Sequence, residues 1–239
     1  MSDTTFAGEV RGAFRRGDSA EVVRLCRTAL AEARATEVEA LYGLSRVAIR
    51  SGDLAAAADL ATQSLQAALR AGDRSLEERP RHVLAAVARL SGDLAGAREL
   101  YLASIRLNEE LGRAETVLTE RHNLAFCELR LGRLGAAREL FAANRAEAER
   151  HGWTSFLPFA AIADACLASA EGDHARAARL IAAADAAFAA RGQVPDPDDA
   201  AELDRARTDS AAALGEREFA EQYDSGRREV SHGPDGTPD

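Results

Sequence analysis

Lysine is absent from the chain: all 30 residues of the Lys/Arg class are arginine. A Walker A phosphate loop, which requires Gly-Lys-Ser/Thr, is therefore excluded. Cysteine is scarce. Cys26, Cys127 and Cys166 stand far apart, form no CxxC pair and have no His at zinc-finger spacing, so they read as buried free thiols, and neither metal nor cofactor is expected. Aromatics make up 5% of the residues and prolines number six, while alternating β-branched runs are nearly missing, which argues against strands and for an all-α chain. No apolar run approaches the roughly 20 residues that span a bilayer, and Asp3, Glu9 and Arg11 stand where a signal peptide would carry its apolar core. No membrane partner is expected, and the expected location is cytoplasmic. A formal charge of −9 argues against direct nucleic-acid binding, which needs a basic footprint. Ser, His and Asp occur without a nucleophile elbow or a catalytic-cysteine context, so no catalytic residue is assigned and an enzyme is not expected.

What is present is a period. Gly52, Gly92, Gly132 and Gly172 are 40 residues apart, and Gly72, Gly112, Gly152 and Gly192 repeat that interval. A fixed period of this size signals a solenoid, in which one supersecondary unit is stacked because it cannot bury its apolar face alone. Between the glycines lie segments with apolar residues at i, i+3, i+4 and i+7, two helices per period. The spacing predicts helices over 4–16, 19–34, 37–50, 54–70, 75–90, 94–111, 114–130, 134–150, 155–170 and 174–190. Sequences such as Ser51-Gly52-Asp53 and Ser91-Gly92-Asp93 supply a left-handed C′ glycine followed by a capping Asp, and mark the hairpin turns.

Aligned on the hairpin glycine, Ala57, Ala97, Ala137 and Ala177 fall five residues after it, and Ser45, Ala85, Ala125 and Ala165 seven before it. Closely crossing helices need small residues at such fixed places. Leu44, Leu84 and Leu124 share the next position, where Asp164 breaks the pattern, and Ala61, Tyr101, Phe141 and Ile181 follow the glycine by nine. This alternation of small and large residues resembles the tetratricopeptide repeat in a 40-residue form. The resemblance implies a right-handed α-solenoid of about five hairpins, 4–35, 36–74, 75–113, 114–153 and 154–193, forming one repeat domain over 1–223 with a C-terminal cap over 198–223. The first unit is degenerate: Gly17 precedes Gly52 by 35 residues and Val22 replaces the small residue. Residues 224–239 hold little to bury and are expected to be disordered.

Near the end, Leu214-Gly215, Phe219, Tyr223 and Gly226-Arg227 resemble the closing segment, LG…F…W..GR, of large bacterial ATP-dependent transcription regulators of the LuxR and antibiotic-regulator type, with Tyr223 in place of the Trp. Taken with the repeats, that resemblance implies the sensory or docking part of such a regulator, without its ATPase or helix-turn-helix.

In tetratricopeptide proteins the first helix of each hairpin lines a concave groove. By register the groove residues here are Arg11 and Arg15, then Tyr42, Arg46 and Arg50 with Glu39, then Arg79, His82 and Arg89, then His122, Phe126 and Arg130 with Thr119, and finally Phe159 with Ile162, Cys166 and Ser169. The arginines form a basic stripe suited to an acidic protein or peptide, since the guanidinium fork grips carboxylates bidentately. Two other readings stand beside this one. The arginines pair with neighbouring Glu or simply meet solvent, or a small-molecule effector sits inside the superhelix. His82 and His122 share a register without a third ligand and read as polar groove residues. Trp153, Phe156, Pro158 and Phe159 form an aromatic cluster that reads as packing between repeats, and Asp196, Asp198, Asp199 and Glu202 read as the acidic start of a helix.

Overall fold

The computed structural model of the chain describes residues 3–16 and 18–232, and among them only helices and turns occur. The helices are α1 (Asp3–Arg15), α2 (Ser19–Arg50), α3 (Leu54–Ala71), α4 (Glu78–Leu90), α5 (Leu94–Glu110), α6 (Ala114–Arg130), α7 (Leu134–His151), α8 (Leu157–Ala170), α9 (His174–Ala189), α10 (Pro197–Leu214) and α11 (Glu216–His232). Short 3-10 turns, Arg74–Leu76 and Thr154–Phe156, precede α4 and α8. The chain divides into two compact units, Met1–Val83 and Leu84–Asp239.

The hairpin turns are built as the glycine pattern requires. At Gly92 (φ +86°) the glycine N–H donates to Arg89 O at 3.1 Å and the Asp93 N–H to Ala88 O at 3.0 Å, the two bonds of a Schellman close. The pair recurs at Gly52, Gly132 and Gly172 with lengths of 2.9–3.0 Å. The following Asp then caps the next helix: the Asp53 carboxylate accepts from Ala56 N at 2.9 Å, Asp93 from Gly96 N at 2.9 Å and Asp173 from Arg176 N at 3.2 Å. Asp93→Ala is expected to cost about 1 kcal/mol, the usual worth of such a cap, visible as a lower urea midpoint at unchanged slope. A cost near zero would mean that the Schellman bonds alone set the start of α5.

The small positions do what close crossing demands. Ala57, Ala97, Ala137 and Ala177, with Ser45, Ala85, Ala125 and Ala165, are all fully buried. Tyr101, Phe141 and Ile181 are buried beside them and carry the larger volume between hairpins. A polar rung joins the helices of a hairpin at a register the glycine alignment does not single out. Ser64 Oγ donates to Val38 O at 2.9 Å and Asn144 Nδ2 to Leu118 O at 3.2 Å, each tying the second helix to a backbone carbonyl 14 residues before the hairpin glycine. Asp164, the exception in the Leu register, pairs with Arg145. Burial raises its carboxyl pKa despite that arginine.

Three expectations are corrected. The helices expected over 19–34 and 37–50 are one 32-residue helix, α2, because the stretch from Glu32 to Glu39 holds good helix formers and no Gly or Pro. Without a turn there, Leu44 and Val47 stay 56% and 65% exposed, although Leu124 and Cys127 at the same register in the second unit are buried against α4 and α5. Gly17, the expected first hairpin glycine, lies outside the described residues. The single stack expected over 1–223 is divided at residues 83 and 84. The expected disorder from 224 onward begins too early, since α11 runs to His232; residues 233–239 lie outside the described set. Phe219 and Tyr223 pack α11 against the core of the second unit, which includes α9, and this gives the helix the apolar face that residues 224–239 lack by themselves.

Candidate functional site

In the second unit the first helices of successive hairpins are α4, α6 and α8, and α10 follows them in the stack. Arg89, Asn123 and Arg130 project from α4 and α6 and meet the acidic first turn of α10. The Arg89 guanidinium is 2.5 Å from Asp198 Oδ2 and 3.3 Å from Glu202 Oε1, and it donates to Asn123 Oδ1 at 3.0 Å. Arg130 and Arg205 each reach Glu202 at 3.4 Å. The Arg89 guanidinium carbon lies over the Phe126 ring, 5.2 Å from its centroid. Arg89, Asp198, Asp199 and Glu202 are all buried. Burial works against the charge on Arg89, but Asp198, and then Tyr101, Asp199 and Glu202, hold its pKa well above the usual value. The Cys166 thiol is pushed far up by burial and that of Cys127 to about 11, so both are inert as nucleophiles near neutral pH.

His122 completes the cluster. Its Nε2 is 3.4 Å from Asp199 Oδ1, neither ring nitrogen makes a hydrogen bond, and the ring is enclosed by Phe126, Phe141, Phe156 and Phe159 with centroids at 4.9–6.4 Å. His122 and Phe126, expected on a groove wall, are therefore core residues: the first turn of α10 covers that face. Phe156 is buried with Leu118, Ala148 and Ala160, Trp153 stacks on His151 at 4.6 Å, and Phe159 packs edge-on to Phe188 at 5.2 Å. The aromatic cluster is thus inter-repeat packing. No group of three or more His, Cys, Asp or Glu among the described residues is placed to hold a metal ion.

The first unit gathers a second, open set. Tyr42 is flanked by the guanidinium groups of Arg46 and Arg79, 5.9 and 5.4 Å from its ring centroid, and Arg79 pairs with Glu39. Arg50 and Arg79 are exposed, Arg46 and His82 half-buried. Arg11 is exposed on α1, away from the Tyr42 set in sequence and with interactions of its own. Arg15 lies outside the described side chains. The predicted residues therefore resolve into an open Tyr42–Arg46–Arg79 surface and a filled Arg89–His122–Arg130 seat. Asp198, Asp199 and Glu202 were legible as a helix start but not as the partners of Arg89, His122 and Arg130; their excess of carboxylates was the available signal.

No protein-family model matches the chain, and no curated protein does. Solved structures do. The apo form of RapI is similar with a TM-score of 0.56 and 13% identity, covering 96% of this chain and 99% of RapI. BtubC from P. vanneervenii gives a TM-score of 0.56 and 21% identity over 95% of this chain and 91% of its own. A Podosopora anserina putative kinesin light chain with nearly identical TPR-like repeats gives 0.51 and 18% over 83% of this chain and 98% of its own. At these identities the likeness is one of fold: the chain is an all-α solenoid of tetratricopeptide-like repeats.

Proposed function

We propose that the chain is a non-enzymatic binding scaffold that takes an acidic peptide or protein segment on the arginines of its first helices. The observation that carries this reading is the seating of Asp198 and Glu202 on Arg89 and Arg130, because these two arginines already hold a carboxylate-bearing stretch of helix. The open set around Tyr42 offers the same chemistry to an external segment, a forked cation beside an amphipathic ring. A cytoplasmic role in bacterial transcriptional regulation or signalling fits the resemblance carried by Leu214-Gly215, Phe219, Tyr223 and Gly226, and of these Phe219, Tyr223 and Gly226 act together in docking α11 on α9.

The test is a titration of the full chain with a fluorescein-labelled peptide rich in Asp and Glu, followed by anisotropy. Arg46→Glu, Arg50→Glu and Arg79→Glu combined are expected to weaken binding at least a hundredfold, with the wild-type affinity falling as salt rises. Unchanged affinity in the triple variant, or no binding by the wild type, overturns the reading. Arg89 is left out of the substitution because its removal acts on folding.

A further inference from the structure

We infer that the first turn of α10 is a built-in ligand mimic, and that the Arg89–Asn123–Arg130 seat beneath it is a second carboxylate-binding site that an acidic segment enters by displacing that turn. The inference rests on the binding reading above and names a further site for it.

Three observations carry it. The first is that α10 has a stacking surface of its own, through Leu203, Ala206 and Ser210, which pack with α8 and α9 as the next helix of a solenoid must. The carboxylates of Asp198, Asp199 and Glu202 point the other way, into the buried seat. Burying such ions is seldom more stabilising than apolar packing of the same volume, and the best-attested use of such a cluster is to set register or to switch.

The second is that the cluster is only partly satisfied. Arg89 Nε, both nitrogens of His122 and Asp199 Oδ1 are buried without a hydrogen bond. A seat made for permanent closure would pair these atoms, since a half-satisfied polar network is costlier than an apolar one. Asp199 Oδ1 stands 3.4 Å from His122 Nε2, while Arg89 Nε and His122 Nδ1 meet no carboxylate oxygen of the resident turn.

The third is the attachment. The turn hangs on residues 191–196, exposed at Arg191, Gly192, Gln193 and Val194 and without regular structure from Gln193 to Asp196. Pro195 and Pro197 flank Asp196, so this stretch cannot lengthen α9, and the turn is joined to α9 only by this irregular segment.

The experiment uses the full chain and a fluorescein-labelled peptide of residues 195–206, the acidic turn supplied in trans. Asp198→Asn, Asp199→Asn and Glu202→Gln combined keep shape and remove charge, and are expected to raise affinity for the peptide at least tenfold over wild type. Adding Arg130→Glu is expected to abolish the gain. Hydrogen exchange on the wild-type chain supplies a readout independent of that variant's folding: saturating peptide is expected to speed exchange of the amides of 197–203 at least tenfold. A folded triple variant that gains no affinity, or a peptide-bound wild type whose α10 amides exchange at the free rate, overturns the inference. Binding that is then still lost in the Arg46, Arg50 and Arg79 variant leaves the scaffold reading standing without this site; no binding by any form ends both.

Discussion

Arg89→Ala is expected to destabilise the Leu84–Asp239 unit by about 3–5 kcal/mol, the usual cost of removing one partner from a buried ion cluster. For a body of this size that is a fall of about 6–20 °C in melting temperature. The reason is the charge balance of the seat. With Arg89 gone, Asp198 and Glu202 keep Arg130 and Arg205 only at the edge, at 3.4 Å from Glu202, and Asp198 loses the contact at 2.5 Å. Arg89→Met separates this cause from lost aliphatic packing, because it keeps most of the stem's volume and deletes the guanidinium with its charge, its hydrogen bonds and its contact with Phe126. It should be nearly as damaging as Ala. Adding Asp198→Asn and Glu202→Gln to Arg89→Met should recover at least half of the loss, since the uncompensated carboxylates go with it. Guanidinium titration with a tertiary-structure probe reads all three variants. A loss below about 1 kcal/mol in Arg89→Ala, the scale of an exposed pair, would mean that the cluster is hydrated and that the arginine does not hold α10 down.

That dependence on Arg89 also shows where local reading of the sequence ends. The hairpins were legible because their determinants are local: a left-handed glycine, a capping Asp three residues before the amide it binds, and small residues at a fixed offset such as Ala97 and Ala137. The arginine stripe and the acidic run were each legible for the same reason. Their meeting was not, because Arg89 and Asp198 are 109 residues apart and no periodicity links them. At the other end of the chain, helix propensity outweighed the repeat: nothing between Glu32 and Glu39 can stop a helix, so α2 runs through the place where a turn would have preserved the period. His122 and Phe126 moved from wall to core for a related reason, since register fixes the face a residue occupies but not whether a later helix lies across it.

Gly226→Ala is expected to loosen α11 by about 1–3 kcal/mol, the range for an added methyl in a filled contact, while the rest of the unit stays folded. A glycine inside a helix costs about 1 kcal/mol against alanine, and here its use is close approach. A Cβ built on Gly226 would lie 2.4 Å from the Arg179 carbonyl oxygen and 2.7 Å from its Cα, both backbone atoms of α9 that no rotamer change can move. The helix must therefore lift, and its other anchors go with it. Tyr223, whose phenol pKa burial and the Asp185 bond raise, donates to Asp185 at 2.7 Å and lies under the Arg207 guanidinium of α10, which is 5.6 Å from the tyrosine ring centroid, and Phe219 rests on the core. The motif Phe219, Tyr223, Gly226 is thus a single docking face at helical spacing, apolar ring, hydrogen-bonding ring and missing side chain in succession. Amides of α11 should exchange about 5–150-fold faster in Gly226→Ala, the equivalent of that free energy, with those of α5 and α6 unchanged. Gly43→Ala, in α2 with nothing within 4 Å of the new methyl, is the matched control and should stabilise by up to about 1 kcal/mol. Equal protection of α11 in wild type and Gly226→Ala would show that the contact yields, and the glycine would then have no part in holding the helix against α9.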